Sequence, residues 1–503
     1  MEEKVIGDVE LSIEEIIDIV LNNKCQIKLS DQAWNRVRRS SNFFDDIEVS
    51  GVPVYGVNRS FGDLVDFKVT SSHHSAMQNR LLLSHSVGIG EIFDIKISKL
   101  IFFLRINCFA NGASGIKEKT LEKLINIYNK RVVPEVSSRG SLGASGDLSP
   151  LAHFASFFIG YGYGYINGER KSAKVILKEL GIKEIDLQRK EGLSLINGTS
   201  AMTAVGIYVY KEFNALLDFF FLGMALMMDS YKFSTSFLQT EAFNLKAHKG
   251  SMIVVNKLAK YLKVNGSNDT DKLQAVYSIR CVPFILSPVV ESVEYLKSIL
   301  DIESNSVNDN PIYLQNSESI YHGGHFHGAP VAFALDNLRL AISILSNLID
   351  RQLDHILDSR KNPHSISPFL SYKPEEGYTG FAGAQYLLTS LTIENKHDSS
   401  SYSNLSMPTN GGNQDLVSLG LQSGLSALKM LERLKIIIYI YYLSAIQSYS
   451  LSAAKPTTQI LQEIYEKFNV IIKFPYKEEE QFSEILSKIM NSKVLEEYFK
   501  EKI

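Results

Sequence analysis

The sequence predicts a mainly α protein, an elongated bundle of long helices preceded by a loop-rich N-terminal part. Through much of the second half of the chain, apolar residues recur every three or four positions, which is the spacing of one helix face. In residues 1–200, glycine clusters interrupt the apolar runs, and functional side chains often lie on such loops. We therefore divide the chain into a loop-rich part, residues 1–200, and a helical part, residues 201–503.

Three segments carry the helical pattern most clearly. The first is Pro330–Leu353, which opens with a proline suited to a first helical position and continues with an apolar stripe. The second is Asp415–Ala445, with leucines at helical spacing. The third begins at Phe482, shortly after the acidic run 478–480, whose negative charge is favourable at a helix N-terminus.

The composition excludes several classes of partner. The 503 residues include 52 Lys+Arg and 55 Asp+Glu, so the net charge of −3 offers no overall attraction for nucleic acid or anionic lipid. The most apolar stretches, 219–228 and 436–446, are shorter than the roughly 20 residues that span a bilayer. The acidic first residues do not resemble a signal peptide. We expect a soluble cytoplasmic protein with no nucleic-acid or membrane partner.

Metal and disulfide chemistry have little support. Cys25, Cys108 and Cys281 are far apart and form no CxxC pair. The segment from His322 to His327 holds three histidines, but no carboxylate or thiolate lies at ligand spacing, so we interpret it as a glycine-hinged substrate loop. We expect no metal, and we expect the pair His73-His74 to be a solvated loop pair. Motifs for a serine-hydrolase elbow, a dinucleotide site and a P-loop are absent from the sequence.

The glycine-rich segment Ser138–His153 contains the tripeptide Ala144-Ser145-Gly146. A glycine after serine in a tight turn lets its amide nitrogen approach the carbonyl carbon two residues back, because no Cβ obstructs it. If the Gly146 nitrogen attacks the Ala144 carbonyl and two waters are lost, one of them from Ser145, the product is a methylidene-imidazolone. Its exocyclic carbon is a strong electrophile, a group that ordinary side chains do not provide.

The same tripeptide occurs a second time, as Ala113-Ser114-Gly115. By itself, therefore, the tripeptide is weak evidence for this chemistry. The flanking residues differ, because only the copy at Ser145 continues as Asp147-Leu-x-Pro150-Leu-x-His153. We interpret Ser114 as structural.

The extended segment around Ser145 resembles the prosthetic-group loop of the aromatic amino acid ammonia-lyase family, the histidine, phenylalanine and tyrosine ammonia-lyases and aminomutases, whose members make a methylidene-imidazolone from Ala-Ser-Gly. Seven other stretches are similar to the family's motifs, in the family's order: Tyr55-Gly-Val-Asn58, Leu83-Ser-His85, Leu195-Ile-Asn197-Gly-Thr, Gln274-Ala-Val-Tyr277-Ser-Ile-Arg280-Cys-Val-Pro283, Asn305-Ser-Val-Asn-Asp309-Asn-Pro311, Gly323-Gly-His-Phe326-His-Gly and Asn413-Gln414-Asp415. The resemblance implies a carbon–nitrogen lyase that uses this prosthetic group and no metal or nucleotide.

The resemblance also implies roles for single residues. Ala144-Ser145-Gly146 would form the prosthetic group, and Tyr55 and Tyr277 would flank the reacting carbons, Tyr55 being the better candidate for removal of the β-proton. A phenol with a pKa of about 10 is a poor base unless a nearby charge lowers that pKa. Arg280 would hold the substrate carboxylate through two parallel hydrogen bonds, and Asn197 would contact the prosthetic group. The implied substrate-binding residues are His85, Asn197, Gln274, Arg280, His325, Phe326 and Gln414.

Three positions depart from the family's pattern. Arg59-Ser60 stand where the family usually has Thr-Gly, and we expect the added cation to affect loop closure or the preferred substrate charge. His325 stands where the family has Asn; it could still donate a hydrogen bond, with sensitivity to pH. Phe284 stands where the family has Gln. These departures bear on both the level of activity and the substrate.

Two motifs bear on the substrate. His85 follows a serine, as in histidine ammonia-lyases, but some bacterial tyrosine lyases share that pair, and a histidine ring bonds a phenol as well as an imidazole. Gln414 is a neutral amide where histidine lyases usually have Glu, and it is similar to the phenylalanine and tyrosine lyases. We favour tyrosine, which would give 4-coumarate, with phenylalanine as a further substrate.

Three alternatives stay open at this point. They are a histidine ammonia-lyase giving urocanate, an aromatic 2,3-aminomutase that re-adds ammonia at the β-carbon, and a non-catalytic protein on the lyase fold. The intact Ala144-Ser145-Gly146 argues against the last. The resemblance further implies a homotetramer whose active sites are completed by neighbouring subunits.

Overall fold

The computed structural model describes residues 2–22, 25–264, 274–361 and 366–502. Helices dominate and the strands are short, which confirms the predicted mainly α class. The α-helices span Ile13–Leu21, Asp31–Ser50, His74–His85, Ile95–Ala110, Glu118–Asn129, Leu148–Phe158, Ala173–Glu179, Glu191–Ile196, Ser200–Ser230, Thr240–Asn244, Lys249–Ala259, Tyr277–Arg280, Val282–Asn305, Ala329–Leu357, Ala382–His397, Gly420–Ser452, Gln459–Ile471, Phe482–Ser492 and Val494–Lys502.

The three predicted helices are present, and one of them begins later than predicted. Pro330 lies in the first turn of Ala329–Leu357, and Phe482 is the first residue of its helix. The helix predicted from Asp415 begins instead at Gly420. The preceding Leu419 has a φ of 54° and donates its backbone N–H to the Leu142 carbonyl at 3.1 Å, so these residues form a loop.

In the N-terminal part, the predicted breaks lie between helices. Ser12 caps Ile13–Leu21 and Ser30 caps Asp31–Ser50, each by accepting a hydrogen bond from a first-turn backbone N–H. Gly51 ends the second of these helices with a φ of 72°, a conformation that glycine adopts at low cost. The glycine-rich segments are therefore connections between helices.

Strands form three small sheets in the part of the chain that is described. Glu2–Ile6 pairs in parallel with Cys25–Leu29, with Lys4 opposite Ile27. An antiparallel sheet has the order Val133–Pro134, Tyr163–Ile166 and Glu169–Ser172, and a hairpin joins Ile312–Leu314 to Ser319–Tyr321.

The chain forms two compact units. The first comprises Met1–Val209, Leu296–Asp336 and Ser401–Leu425, and the second comprises Tyr210–Tyr295, Asn337–Ser400 and Ser426–Ile503. Several long helices contribute residues to both units. The predicted division of the chain at residue 200 stays a prediction.

The core of the first unit is built around helix Ile95–Ala110, which is buried along nearly all of its length. It packs against helices Ile13–Leu21, Asp31–Ser50 and Glu118–Asn129. A second group of mutually packed helices consists of His74–His85, Leu148–Phe158 and Glu191–Ile196. This group positions part of the candidate site, because the turn at Ser145 precedes Leu148–Phe158, Asn197 follows Glu191–Ile196, and His85 ends His74–His85.

The core of the second unit contains buried tyrosines on helix Gly420–Ser452. The Tyr441 hydroxyl donates to Oε1 of Gln352 at 2.5 Å, and Gln352 in turn donates to the Ser278 carbonyl at 2.7 Å. The Tyr442 hydroxyl donates to the Phe219 carbonyl at 2.6 Å. Hydrogen bonds of this kind offset the cost of burying a hydroxyl group.

Two helices, Ser200–Ser230 and Ala329–Leu357, are long and apolar enough to cross a bilayer. They are longer than the apolar stretches visible in the sequence. Their most apolar stretches are 78% and 72% buried inside the protein, respectively, as in the core helices of a globular fold.

Candidate active site

The backbone around Ser145 forms a tight turn. Ser145 has a φ of 58° and Gly146 a φ of 76°, and Gly143 and Gly146 pair across the turn. A Cβ at Gly146 would lie 2.2 Å from the Gly198 carbonyl oxygen, so no other residue fits there without a shift of backbone. Glycine is therefore required both for conformation and for space.

Asn197 lies against this turn. Its side-chain nitrogen donates to the Ser145 carbonyl at 2.8 Å and to the Ser145 hydroxyl at 2.7 Å. Asn197 is 1% exposed, and its Oδ1 has no hydrogen-bond partner among the described residues. The amide therefore holds the serine on one side and keeps a free acceptor on the other.

Asp147 anchors the other end of the turn. Its buried carboxylate accepts hydrogen bonds from the Ser141 hydroxyl at 3.0 Å and from the Met202 backbone N–H at 2.7 Å. Met202 lies in the first turn of helix Ser200–Ser230, where free N–H groups favour an acceptor. Burial raises the pKa of Asp147 to about 7. Sequence reasoning used Asp147 only as a flanking residue of the motif.

The turn opens into a cavity of about 670 Å³ in the first unit. Six residues of the predicted site line it: Tyr55, His85, Ala144, Ser145, Gly146 and Gln414. The described lining also contains His73 and Arg80, and it contains no Asp or Glu. The cavity is of the size that holds a small organic ligand, and its fixed charges are positive.

Tyr55 points its hydroxyl at the backbone of its own loop. The Gly62 N–H donates to the Tyr55 hydroxyl oxygen at 3.0 Å, and the Phe61 ring meets the Tyr55 ring edge-on. Burial raises the pKa of Tyr55, and the Gly62 hydrogen bond opposes that rise. A positive charge is not among the causes of this shift, so the cations that line the cavity leave the pKa of this phenol above its usual value.

The ring of His85 is oriented by its own helix. Its Nδ1 lies 2.9 Å from the Leu81 carbonyl and 3.0 Å from the Ser84 hydroxyl. A carbonyl only accepts hydrogen bonds, so the contact with Leu81 requires a proton on Nδ1. In the neutral ring, Nε2 is then a hydrogen-bond acceptor.

Six residues of the predicted site are not in this lining, and one of them, Asn197, lies directly behind the Ser145 turn as described above. In the first unit, His325 is exposed and contacts Tyr321 edge-on, and Phe326 is half-buried. The other three, Gln274, Tyr277 and Arg280, belong to the second unit.

The three predicted site residues of the second unit lie at its surface or close to it. Tyr277 is 69% exposed and Gln274 is also exposed. The Arg280 guanidinium lies 4.7 Å from the centre of the Tyr277 ring and donates from Nε to the Ala275 carbonyl at 2.9 Å. The two terminal nitrogens of the guanidinium, Nη1 and Nη2, are those that would donate to a substrate carboxylate.

The other Ala-Ser-Gly copy has a different environment. Ser114 is 1% exposed, and its carbonyl accepts hydrogen bonds from Lys190 at 3.0 Å and from Ser194 at 2.8 Å. Lys190 also forms a fully buried ion pair with Asp309 at 2.6 Å. Burial lowers the pKa of Lys190, and the Asp309 carboxylate opposes this effect.

Comparison with known proteins agrees with this site. Residues 11–469 match the family model for aromatic amino acid lyase. The chain is 33% identical to the histidine ammonia-lyase of Treponema denticola over 88% of both chains, and 33% identical to the tyrosine 2,3-aminomutase of Myxococcus fulvus over 87% of both. Among solved structures, the phenylalanine aminomutase of Pantoea agglomerans is 29% identical and superposes with a TM-score of 0.92, covering 98% of this chain and 99% of that one.

The chain belongs to the aromatic amino acid lyase family. It is an enzyme, a carbon–nitrogen lyase, which removes the alternative of a non-catalytic protein on the lyase fold. The relatives include histidine ammonia-lyases and tyrosine aminomutases at equal identity, so similarity does not favour tyrosine as the substrate over histidine.

The structure locates the residues at which this lyase departs from the family pattern. Arg59 donates to the Asp66 carbonyl at 2.7 Å and lines a second cavity, of about 530 Å³, to which Tyr55 also contributes. Phe284 is 38% exposed and stacks on Phe243 at 5.4 Å between ring centres. Arg59 therefore lies on a loop of the first unit, and Phe284 lies at the surface of the second unit.

The prediction for His73-His74 is half wrong. His73 is exposed and lines the first cavity, but His74 is 5% exposed and its Nε2 contacts the Val69 carbonyl at 3.1 Å. The two rings diverge because His74 begins helix His74–His85 and faces its packed side. Among the described residues, no three of His, Cys, Asp or Glu are placed to hold a metal ion.

Proposed function

We propose that this lyase eliminates ammonia from L-tyrosine to give 4-coumarate, using a methylidene-imidazolone formed from Ala144-Ser145-Gly146. The observation that carries the proposal is the turn itself, in which Ser145 and Gly146 have left-handed φ values beside a cavity of suitable size. When formed, the group would supply an electrophilic carbon that side chains lack.

The residues around the turn fit such a ring. Gly146 has no room for a side chain, and two hydrogen bonds from Asn197 fix the carbonyl and hydroxyl of Ser145. The unpartnered Oδ1 of Asn197 is a buried acceptor on the same amide that holds Ser145. A buried polar atom without a partner is costly, so its place beside Ser145 favours a role toward the ring or the substrate.

Side chains would bind the substrate carboxylate, remove the β-proton and recognise the ring. Arg280 would bind the substrate carboxylate in a two-bond geometry, and Tyr55 would take the β-proton as general base. Tyr277 would lie across the reacting carbons from Tyr55. Ring recognition would fall to His85 and Gln414, which line the cavity with Ser145.

The charge of the cavity supports tyrosine over histidine. Its described lining contains His73, Arg80 and His85 and no carboxylate, so a protonated imidazole would meet only positive charge or neutral groups. The Nε2 of His85 is an acceptor that a phenol hydroxyl can satisfy, whereas the ring of phenylalanine cannot.

Histidine ammonia-lyase is the second candidate, and the relatives favour it. Histidine ammonia-lyases from Treponema denticola and Natranaerobius thermophilus are 33% and 34% identical to this chain over most of its length. A 2,3-aminomutase is a variant of either proposal in which ammonia is added back at the β-carbon, and the tyrosine aminomutases are equally similar relatives.

The assembly we propose is a homotetramer in the cytoplasm, in which neighbouring subunits complete each active site. The exposure of Tyr277 and of His325 supports it, because both residues are free to face another subunit. The apolar surface of the second unit agrees with burial in an interface: Tyr386 is 75% exposed and Ile393 is 60% exposed.

Separate incubations with tyrosine, phenylalanine and histidine test the substrate. Ultraviolet absorbance follows the conjugated acid, and chromatography detects any β-amino acid. We expect tyrosine to give 4-coumarate at the highest kcat/KM. Turnover of histidine alone would overturn the tyrosine proposal, and accumulation of β-tyrosine would identify an aminomutase.

A further inference from the structure

We propose that Arg80 is a specificity-determining residue that selects substrates with a hydroxylated aromatic ring. It would donate a hydrogen bond to the ring oxygen while that hydroxyl donates its proton to His85. The inference rests on the proposed function, because it concerns the ring end of the same cavity, and it names the substrate class as phenolic amino acids.

The position of Arg80 follows from helix geometry. Arg80 lies on helix His74–His85 and lines the cavity that also contains Ser145. Ser84 follows four residues later, so the two side chains are neighbours on one helix face. Ser84 and His85 line the same cavity, and the Ser84 hydroxyl lies 3.0 Å from Nδ1 of His85, so all three residues contribute to the part of the lining that this helix supplies.

The guanidinium of Arg80 is available for a ligand. Within the described parts of the chain, no ion pair and no hydrogen bond engages it, and the lining around it holds no carboxylate. By contrast, the Arg59 guanidinium donates to the Asp66 carbonyl and that of Arg139 pairs with Glu91. Arg80 thus offers hydrogen-bond donors to a cavity whose described lining contains no carboxylate that would compete for them.

A phenol complements this pair of residues. Its oxygen accepts from a guanidinium and its proton is donated to Nε2 of His85, so both protein groups are satisfied by one substituent. A phenyl ring satisfies neither group, and a protonated imidazole is repelled by Arg80. Hydrogen bonds that involve a charged group are strong enough to give about 10- to 100-fold discrimination between phenol and phenyl ligands.

The test measures binding rather than turnover. The full-length Ser145→Ala protein is titrated by calorimetry with 3-(4-hydroxyphenyl)propionate and with 3-phenylpropionate, two carboxylates that differ only in the ring hydroxyl. The ratio of their dissociation constants is compared in that protein with and without Arg80→Gln. Arg80→Lys keeps the charge, and Arg38→Gln is a matched control, because Arg38 pairs with Glu118 at the surface.

We expect the protein with Arg80 to bind the phenol ligand about 10-fold or more tightly than the phenyl ligand, and Arg80→Gln to reduce that ratio to about 1 to 2. Arg80→Lys should retain part of the ratio, and Arg38→Gln should retain all of it. A ratio unchanged by Arg80→Gln, or an equal loss for both ligands, would overturn the inference.

Failure of the proposed function gives a different result. If wild-type protein turns over histidine alone, tyrosine elimination is wrong, whereas the role of Arg80 is still judged by the ratio of the two dissociation constants. Circular dichroism of each variant confirms that the exposed helix position tolerates the substitution.

Discussion

Ser145 and Ser114 lie in identical tripeptides but differ in conformation and surroundings. Ser145 has a left-handed φ and lines a cavity, while Ser114 is buried with its carbonyl held by Lys190 and Ser194. A carbonyl that accepts two hydrogen bonds in the core is fixed in place and inaccessible to substrate. The fold therefore determines which copy can form the prosthetic group. In the sequence, only the flanking residues distinguish the two copies.

The first prediction compares these two serines. Ser145→Ala should abolish turnover and the mass deficit of two waters, because its hydroxyl is one of the leaving groups. Ser114→Ala should retain both, since its hydroxyl has no hydrogen-bond partner among the described residues. Mass spectrometry of the purified proteins and the ultraviolet assay check this. Retained activity in Ser145→Ala would contradict the proposed prosthetic group.

The second prediction concerns Tyr55 as the base. Tyr55→Phe should lower kcat by about 10²- to 10⁴-fold, the usual contribution of general base catalysis. Because burial raises the pKa of this phenol, the basic form becomes more populated as pH rises, so kcat/KM of the wild type should still increase above about pH 9. A wild-type profile that is already flat at neutral pH would show that Tyr55 acquires its charge in another way.

Sequence could identify the residues whose motifs are local, and it missed those that packing brings to the site. Ser145, Asn197 and His85 stand in recognisable runs. Arg80 stands in no motif, and His73 is predicted only as half of a solvated loop pair, so neither is predicted as a cavity residue. The signal was present, since Arg80 lies four residues before Ser84 and therefore on the same helix face.

At the scale of single elements, Asp147 joins the Ser145 turn to the start of helix Ser200–Ser230. The carboxyl accepts from Ser141 on one side and from Met202 on the other. Any loss of this link frees the turn from its helix. The spacing between Asp147 and Met202 in the chain explains why sequence reasoning could not foresee the contact.

The third prediction is the pH dependence of stability that Asp147 causes. Its pKa rises from 3.8 to about 7 on folding, so the folded state holds the proton more tightly. The stabilising contribution is therefore present below about pH 4 and is lost as pH rises through about 7. Asp147→Asn should remove this dependence, a change on the order of 2–4 kcal/mol across the window.

Chemical unfolding of wild type and Asp147→Asn at about pH 5 and about pH 8 measures the effect. The free energy of unfolding of the wild type, relative to the variant, should decrease with rising pH. Parallel pH profiles for the two proteins would show that the carboxyl has no raised pKa in the folded state.

The fourth prediction concerns the buried pair Lys190–Asp309, which holds the segment around Ser114 against the loop after helix Val282–Asn305. Asp309→Asn leaves an unpaired buried ammonium, so it should lower the free energy of unfolding by about 3–5 kcal/mol. Glu118→Gln, which breaks the surface pair with Arg38, should change it by about 0–1 kcal/mol. Denaturant titration of both variants makes the comparison; equal costs would contradict it.

Helix type was predictable from periodicity, whereas one helix start was not. The segment after Asp415 has helical spacing, yet the helix starts at Gly420, because Leu419 bonds the backbone of Leu142 and leaves the helical region. That bond joins residues far apart in sequence. The spacing of apolar residues carries no information on such a long-range contact, so it could not predict where this helix begins.

At the scale of the whole molecule, the predicted site is divided between residues that line one cavity and residues exposed elsewhere. Tyr55, Ser145 and Gln414 belong to the first group, and Tyr277 and His325 belong to the second. The proposed tetramer would join the two groups across subunits. This arrangement was implied by the family resemblance and lay outside anything that composition or periodicity could indicate.

The fifth prediction tests that arrangement by complementation. Ser145→Ala and Tyr277→Phe should each be nearly inactive as homotetramers. If they are unfolded and refolded together, the mixed tetramers should regain activity, because some sites combine an intact Ser145 turn with an intact Tyr277. Light scattering measures the mass, and the ultraviolet assay measures recovery. A mixture no more active than its separate components would contradict a site shared between subunits.

The hydrogen bonds from Asn197 to Ser145 link residues 52 positions apart in the chain. An unfolded polypeptide does not maintain such a link, so the turn reaches its native geometry only after much of the first unit has formed. Loss of water at this turn would then occur only in chains that have folded, and it would leave a permanent covalent change in each of them. In a purified sample, the fraction of chains without the mass deficit would equal the fraction in which the prosthetic group did not form.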